Sequence, residues 1–141
     1  MGRWGTRPMD SDGAMDYVFY IDNAINKELS RILNQKSHNT DEKLDKVGIV
    51  EYMLMEGHHI HKSLIVKSIK NLKGVLEDAE FMSSWRYPEQ ARNTLVKTIG
   101  FFIALLDIYR KREEVWYVKG MVLTGKHKGR ISRHFKNRYG R

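Results

Sequence analysis

Apolar residues recur at steps of three and four along most of this chain, and this spacing constrains the fold more than any other feature. Four segments carry it, running from Ala14 to Ile32, Leu44 to Leu54, Ile65 to Ala79 and Ala91 to Tyr109. Side chains three and four residues apart share one face of an α-helix. The sequence therefore predicts a mainly α protein, folded as a compact bundle of about four helices.

Residues that suit helix ends stand between the four segments. They are Asp10, Ser11 or Asp12 before the first segment, Thr40 or Asp41 before the second, Gly57 after the second, and Pro88 at the start of the fourth. Within the third segment, Gly74 weakens the helix by up to ~1 kcal/mol relative to alanine. Phe101, Ile103 and Leu105 put apolar side chains on the other faces of the fourth helix, so we expect it to be the central one.

The positive charge of the chain is confined to its C-terminal end. The 141 residues include 25 Lys and Arg against 17 Asp and Glu. Eight of the basic residues and no acid lie between Lys119 and Arg141, which leaves 17 of each sign in residues 1–118. We therefore expect a helical domain over 1–118 and a basic arm over 119–141. Positive charge segregated in this way indicates an anionic partner.

Aromatic residues are interleaved with the cations of the basic arm. Cations release counterions from phosphates, and aromatic rings stack on unpaired bases. The candidate nucleic-acid-binding residues are Lys126, Lys128, Arg130, Arg133, Phe135, Lys136, Arg138, Tyr139 and Arg141. The alternatives are a solubilising tail, or an arm folded onto an acidic patch of its own neutral body. We favour nucleic acid.

The sequence changes in character between the fourth helix and the arm. Residues 115–118 and 121–124 are rich in β-branched and aromatic residues, with Gly120 between them. This composition is compatible with a short β-hairpin near 115–124 or with a final irregular stretch.

Three histidines, His58, His59 and His61, stand close together in the middle of the chain. In a helix, His58 and His61 would share a face and could supply two of the ligands that a metal ion needs, with Glu51 or Glu56 as a third. No glutamate lies between the histidines as in the HExxH motif of zinc proteases. The alternative is a polar corner whose histidines cap carbonyl groups or face solvent. We favour the corner, and expect neither a metal nor a cofactor.

The first eighteen residues resemble a known family. The chain begins Met-Gly-Arg-Trp-Gly and continues with Asp12-Gly-Ala-Met-Asp16. It resembles a bacterial and phage family that opens Met-Gly-x-Trp-Gly, continues to Asp-x-Ala-x-Asp, and is catalogued as a domain of unknown function. The resemblance implies a small helical domain of bacterial or viral origin, and it transfers no catalytic residue.

The N-terminal motif has a structural interpretation of its own. Trp4 is large enough to close one end of the bundle, while Gly5 lets the backbone turn tightly beside it. Asp12 and Asp16 would then cap the first helix and hold the lead-in. The alternative is a ligand or partner surface built from Trp4, Asp12 and Asp16.

Composition excludes several classes of protein. There is no cysteine, which excludes disulfides and thiolate metal sites and suits a reducing compartment. The longest apolar run, from Ile99 to Leu106, is far shorter than the ~20 residues that a membrane-spanning helix needs. We therefore expect a cytoplasmic protein without a membrane partner, in the bacterial host cell if it is phage-encoded.

These observations lead to two hypotheses about function. The first is a small, non-enzymatic binding protein that engages nucleic acid or a nucleoprotein complex through its basic arm. The second is a phage or bacterial protein-interaction module, a regulator or inhibitor of a host protein, that acts through the helical body. An enzyme that uses a metal at His58 and His61 ranks last. The many apolar helix positions are also compatible with a homodimer.

Overall fold

A computed structural model of the protein describes residues 2–6, 8, 10–108 and 114–116. Five helices and two short strands lie within these ranges. In chain order they are α1 (Asp12–Asn34), α2 (Thr40–Met55), β1 (His59–His61), α3 (Lys62–Glu77), α4 (Ala79–Ser83), α5 (Pro88–Ile108) and β2 (Glu114–Trp116). The prediction of a mainly α, compact bundle is confirmed, with one more helix than expected.

Side chains just before α1 and α2 cap the N-termini of these helices. Ser11 is the N-cap of α1, where its hydroxyl oxygen accepts a hydrogen bond of 3.1 Å from the amide of Ala14. Asn39 is the N-cap of α2, and its side-chain oxygen accepts one of 2.8 Å from the amide of Glu42. The predicted caps Thr40 and Asp41 are therefore wrong by one or two residues. Both already lie in the first turn, because the extended backbone that a cap requires is at Asn39.

The third periodic segment is divided in two at Asp78. Helix α3 ends at Glu77, and the Asp78 carboxylate caps α4 by accepting a hydrogen bond of 3.0 Å from the amide of Phe81. The other carboxylate oxygen accepts a hydrogen bond from the hydroxyl of Thr40, so the start of α2 is joined to the α3–α4 junction. Ala79 therefore belongs to α4 and not to the helix in which the periodicity placed it.

Helix α3 is the central element of the described structure. It packs against α1, α2, α4, α5 and both strands, and its Leu64, Ile65, Leu72 and Val75 are buried. The expectation that α5 is central is wrong. Phe101, Phe102 and Leu105 of α5 are fully buried, but Ile103 is 45% exposed. One side of α5 therefore faces solvent.

The two strands come from distant parts of the chain. They pair antiparallel, with His59 opposite Trp116, Ile60 opposite Val115 and His61 opposite Glu114. Ile60 is fully buried and anchors β1 in the core. The strand expected from residue 115 onwards is thus present, but its described partner is β1. Residues 117–124, the rest of the expected hairpin, lie outside the described residues.

Within the described ranges, no helix combines the length and the apolar character that crossing a bilayer requires.

Two glycines make a matched test of helix interior against helix end. A β-carbon at Gly74 would meet its nearest neighbour, the Lys43 ammonium, at 3.5 Å, an ordinary contact. Gly57 has φ 91°, which L-residues rarely adopt. We expect Gly74→Ala to raise the free energy of unfolding by about 0.5–1 kcal/mol. Gly57→Ala should lower it by about 1–2 kcal/mol. Urea denaturation of both variants checks this, and a shift of both in the same direction would contradict it.

The Asp78 cap predicts a dependence of stability on pH. Its hydrogen bond from Thr40, then that from the Phe81 amide, and then the charge of Lys43 lower the pKa of Asp78 below its ordinary 3.8. Stability from a carboxyl with a lowered pKa is present above its ordinary pKa and lost as the pH falls through the folded-state value. We expect Asp78→Asn and Thr40→Val to flatten the fall in melting temperature below pH 4. If the melting temperature of both variants falls below pH 4 as steeply as that of the unmodified protein, Asp78 is not the source of the pH dependence.

Candidate functional site

Two polar residues of α1, Asp22 and Asn26, face the protein interior. They are 4% and 3% exposed, and with Leu29 and Leu33 they form the buried edge of the helix. The apolar face predicted for this helix included Ile21, which is instead 52% exposed. The interior face of α1 is thus rotated toward its polar pair, because β1 and the preceding His58 offer that pair hydrogen-bonding partners.

The side-chain amide of Asn26 joins α1 to β1. Its nitrogen donates to the carbonyl oxygen of His59 at 2.6 Å and to that of Asp22 at 2.8 Å. Its oxygen accepts from the amide of His61 at 2.8 Å. Both amide protons and the oxygen are therefore used, and two backbone groups on one edge of β1 are satisfied by one side chain.

Asp22 is paired with a histidine from the residues before β1. Its Oδ1 lies 2.8 Å from Nδ1 of His58, whose side chain is 31% exposed. A buried carboxylate needs such a partner, since its desolvation is otherwise costly. When Nδ1 carries the proton, the other ring nitrogen of His58 is left as a hydrogen-bond acceptor or proton acceptor. The pair orients one imidazole at the surface.

The histidine cluster differs from the predicted metal-ligand pair. His58 and His61 do not share a helical face, because His59–His61 is a strand and His58 precedes it. Instead, Nδ1 of His58 is bound to Asp22, and the backbone of His61 is bound to Asn26. In the part of the chain that the structure describes, no three His, Asp or Glu side chains converge as a metal site. Within the described residues, the histidine segment is thus joined to α1 by Asp22 and Asn26.

Helix α1 carries three exposed aromatic rings. Tyr17 and Tyr20 are 74% and 73% exposed, and Phe19 is 45% exposed. The Phe19 ring makes an edge-on contact with His59, with the centroids 5.8 Å apart. Tyr17 and Tyr20 lie on the side of α1 away from the inward-facing polar pair, whereas Phe19 lies one turn before Asp22 on the same side as that pair.

A hollow of about 600 Å³ lies beside this aromatic face, between α1 and the residue that precedes α3. It is lined by Tyr20, Asn23, Ala24, Asn26, Lys27, Ser30 and His61. Among these described lining residues none is acidic. The hollow offers an aromatic face, amide and hydroxyl groups and one ammonium, a combination suited to a planar polar ligand that carries negative charge.

The hollow continues toward a basic edge of α3. That helix has four lysines, Lys62, Lys67, Lys70 and Lys73, against one acid, Glu77. The ammonium of Lys67 donates to the side-chain oxygen of Asn34 at the end of α1, so the lysine edge and the hollow lie along the same pair of helices.

A second, larger groove of about 810 Å³ lies between α2 and the first half of α5. Its rim includes the exposed rings of Tyr52, Trp85 and Tyr87, and the Arg86 guanidinium lies 5.4 Å from the centre of the Tyr87 ring. Its lining also includes the acids Asp45 and Glu51. This groove therefore suits an apolar segment better than a phosphate.

The N-terminal motif folds back on the start of α1, but not as expected. The Trp4 side chain is 61% exposed, so the prediction that it closes the bundle is wrong. The Trp4 amide donates to the carbonyl oxygen of Asp10 at 2.9 Å, and a β-carbon at Gly5 would come within 2.2 Å of the Asp10 carboxylate. Glycine at position 5 thus allows this close approach of Asp10. Asp12 and Asp16 are exposed, and Ser11 caps α1 in their place.

All of the residues predicted to bind nucleic acid lie outside the described residues. They are Lys126, Lys128, Arg130, Arg133, Phe135, Lys136, Arg138, Tyr139 and Arg141.

Comparison with known proteins finds no matching family model, no matching curated protein and no matching solved structure. The resemblance of the first eighteen residues to a bacterial and phage family stays a prediction. The site must therefore be interpreted from its own chemistry.

Sequence reasoning missed the α1 hollow. A signal for it was present, because Asp22, Asn26, Leu29 and Leu33 follow the same steps of four and three as the apolar face. A polar pair on such a stripe indicates buried side chains that need partners, and the nearby histidine segment provides them.

The Asn26 side chain can be tested against its exposed neighbour Asn23. We expect Asn26→Ala to lower the free energy of unfolding by about 2–4 kcal/mol, because it leaves two backbone groups of β1 unsatisfied. Asn23→Ala, one turn earlier at the surface, should change it by less than about 0.5 kcal/mol. Chemical denaturation followed by circular dichroism measures both values. Equal effects would show that the β1 contacts do not depend on the amide.

Proposed function

We propose that this is a small, non-enzymatic binding protein that engages nucleic acid, or a nucleoprotein complex, through the basic arm. The observation that carries the proposal is the separation of charge. Residues 119–141 hold eight basic residues and no acid, while residues 1–118 sum to zero. A cationic segment is attracted to a polyanion. The neutral body has no net negative charge that would compete for this segment.

A group of lysines in the described part of the body also supports an anionic partner. The exposed lysines of α3, Lys67, Lys70 and Lys73, form a basic edge on a body that is neutral overall. Each ammonium that contacts a phosphate releases counterions, which gives affinity without sequence preference. This edge supports an anionic partner that contacts the body as well as the arm.

The proposal also includes a location. The absence of cysteine suits a reducing compartment. The N-terminal resemblance implies a bacterial or viral origin. We therefore propose the cytoplasm of a bacterial cell, which is the host cell if the protein is phage-encoded.

The test is a salt titration of binding to labelled DNA and RNA with the full chain. We expect log Kd to change linearly with log salt, by about 0.9 per phosphate contact on duplex DNA and about 0.7 on single strands. Replacing Arg130, Arg133 and Arg138 by glutamine should weaken binding and reduce this slope. The matched control replaces the exposed residues Lys36, Arg92 and Lys97 by glutamine and should leave both nearly unchanged. No salt-sensitive binding to any nucleic acid would refute the proposal.

The groove between α2 and α5 favours one alternative, a protein-interaction module that acts through the helical body. Its exposed rings, Tyr52, Trp85 and Tyr87, suit an apolar segment of a partner protein. Under this alternative, removal of residues 119–141 leaves partner binding intact, whereas Tyr52→Ser together with Tyr87→Ser abolishes it. Pull-down from nuclease-treated extract of the native cell with each variant separates the two functions.

A further inference from the structure

The hollow on α1 has the chemistry of a site for an unpaired base. Tyr20 is 73% exposed at one end, so one face of its ring is open to a stacking partner. Asn23 and Ser30 offer hydrogen-bonding groups to the edge of a base, and Lys27 offers a cation to the adjoining phosphate. Stacking on an aromatic side chain tolerates any base, because every base has a π-face.

The wall of the hollow is held in place before any ligand binds. Asn26 forms part of this wall, and its amide is fixed by the hydrogen bonds to the His59 carbonyl and the His61 amide. Those bonds also set the position of His61, another lining residue. A preformed wall reduces the ordering cost of binding.

Charge distinguishes this hollow from the groove between α2 and α5. The groove has a lining of mixed charge, with Asp45 and the buried Glu51 as acids and Arg86 as a cation. The described lining of the α1 hollow includes Lys27 and no acid. Two exposed acids of α1 lie near the hollow: Asp16 is one turn before Tyr20, and Glu28 follows Lys27 but is paired with Arg31. The favourable path for a phosphate chain therefore runs from Tyr20 toward the end of α1.

That path leads to the lysine edge of α3. From Tyr20 to Asn34 the axis of α1 extends for about 21 Å. At its far end Lys67 bonds to Asn34, and Lys70 follows one turn later on α3. Cations are thus present at both ends of a path that begins on an aromatic ring, which is the arrangement of single-strand binding surfaces.

We propose that the α1 hollow binds an unpaired base of a single-stranded nucleic acid, with Tyr20 stacked on the base and Lys27 on the adjoining phosphate. This inference rests on the proposed function and makes it more specific. The basic arm supplies charge that acts on any nucleic acid, whereas the hollow selects strands whose bases are free to leave a stack.

The structure provides a matched pair of variants for the test. Tyr17 and Tyr20 are both exposed tyrosines of α1, at 74% and 73%, but only Tyr20 lines the hollow. The measurement is fluorescence anisotropy of the full chain with a labelled single-stranded oligonucleotide of mixed sequence and with its duplex. The melting temperature of each variant is measured to check that it folds. We expect little change, because both rings are exposed.

We expect Tyr20→Ala to raise Kd for the single strand about fivefold or more, which corresponds to one stacked base. It should change duplex affinity much less, because paired bases do not offer a face. Tyr17→Ala should leave both affinities unchanged, and Tyr20→Phe should retain single-strand binding. Lys27→Gln should reduce the salt slope on single strands by about 0.7, whereas Lys97→Gln, at an exposed lysine of α5, should not.

The outcomes separate this inference from the proposed function. Equal effects of Tyr20→Ala and Tyr17→Ala, or an equal loss on single strand and duplex, would overturn the α1 site. If the arm variants still lose salt-sensitive binding in that case, nucleic-acid binding through the arm stands without it. No salt-sensitive binding by the unmodified chain would overturn both.

Discussion

The position of α1 depends on one side-chain amide. Asn26 satisfies two backbone groups of β1 and one of its own helix, and Asp22 on the same edge binds His58 just before the strand. A strand edge buried against a helix needs such partners, because an unsatisfied buried amide or carbonyl costs about 1–3 kcal/mol. With β1 held in this way, its Ile60 enters the core and α3 begins at the next residue after the strand.

The same constraint determines which face of α1 reaches solvent. Because Asp22 and Asn26 point inward, Tyr17 and Tyr20 point outward, although aromatic side chains bury large apolar areas where a core is available. Ile21 is exposed for the same reason. The aromatic surface is thus the consequence of a polar interior contact on the opposite side of the helix. Lys27 and the lysines of α3 place cations near the exposed rings, and Asp22, the acid between Tyr20 and Lys27, is buried.

The body has two surfaces of different chemistry. The groove between α2 and α5 is broad and bordered by aromatic rings, with two acids in its lining. The α1 hollow is smaller and includes amides, a hydroxyl and an ammonium. The lining of the first includes two acids and one cation, whereas the described lining of the second includes one cation and no acid. The two proposed functions would therefore use different faces of the body, and substitutions on each face can be interpreted independently.

Much of the architecture could be predicted from residue spacing. Steps of three and four placed α1, α2 and α5 close to their observed ends, and Gly57 ends the turn after α2 because its φ of 91° suits glycine. The spacing did not predict that Asp78 divides the third segment. Residue type alone does not distinguish an aspartate that caps a new helix from one that is exposed within a continuous helix. The contact that Asp78 makes with Thr40 comes from another part of the chain.

The candidate site was less accessible to sequence reasoning than the helices. The sequence by itself determined the helical class and the confinement of positive charge to residues 119–141, since both follow from residue type and order alone. Only the tertiary structure decided that the histidine segment is a strand, that its backbone is bound by Asn26, and that Tyr20 therefore lies beside Lys27 and His61. The physical reason is that a buried polar residue takes its orientation from its partners, and these partners are more than thirty residues away along the chain.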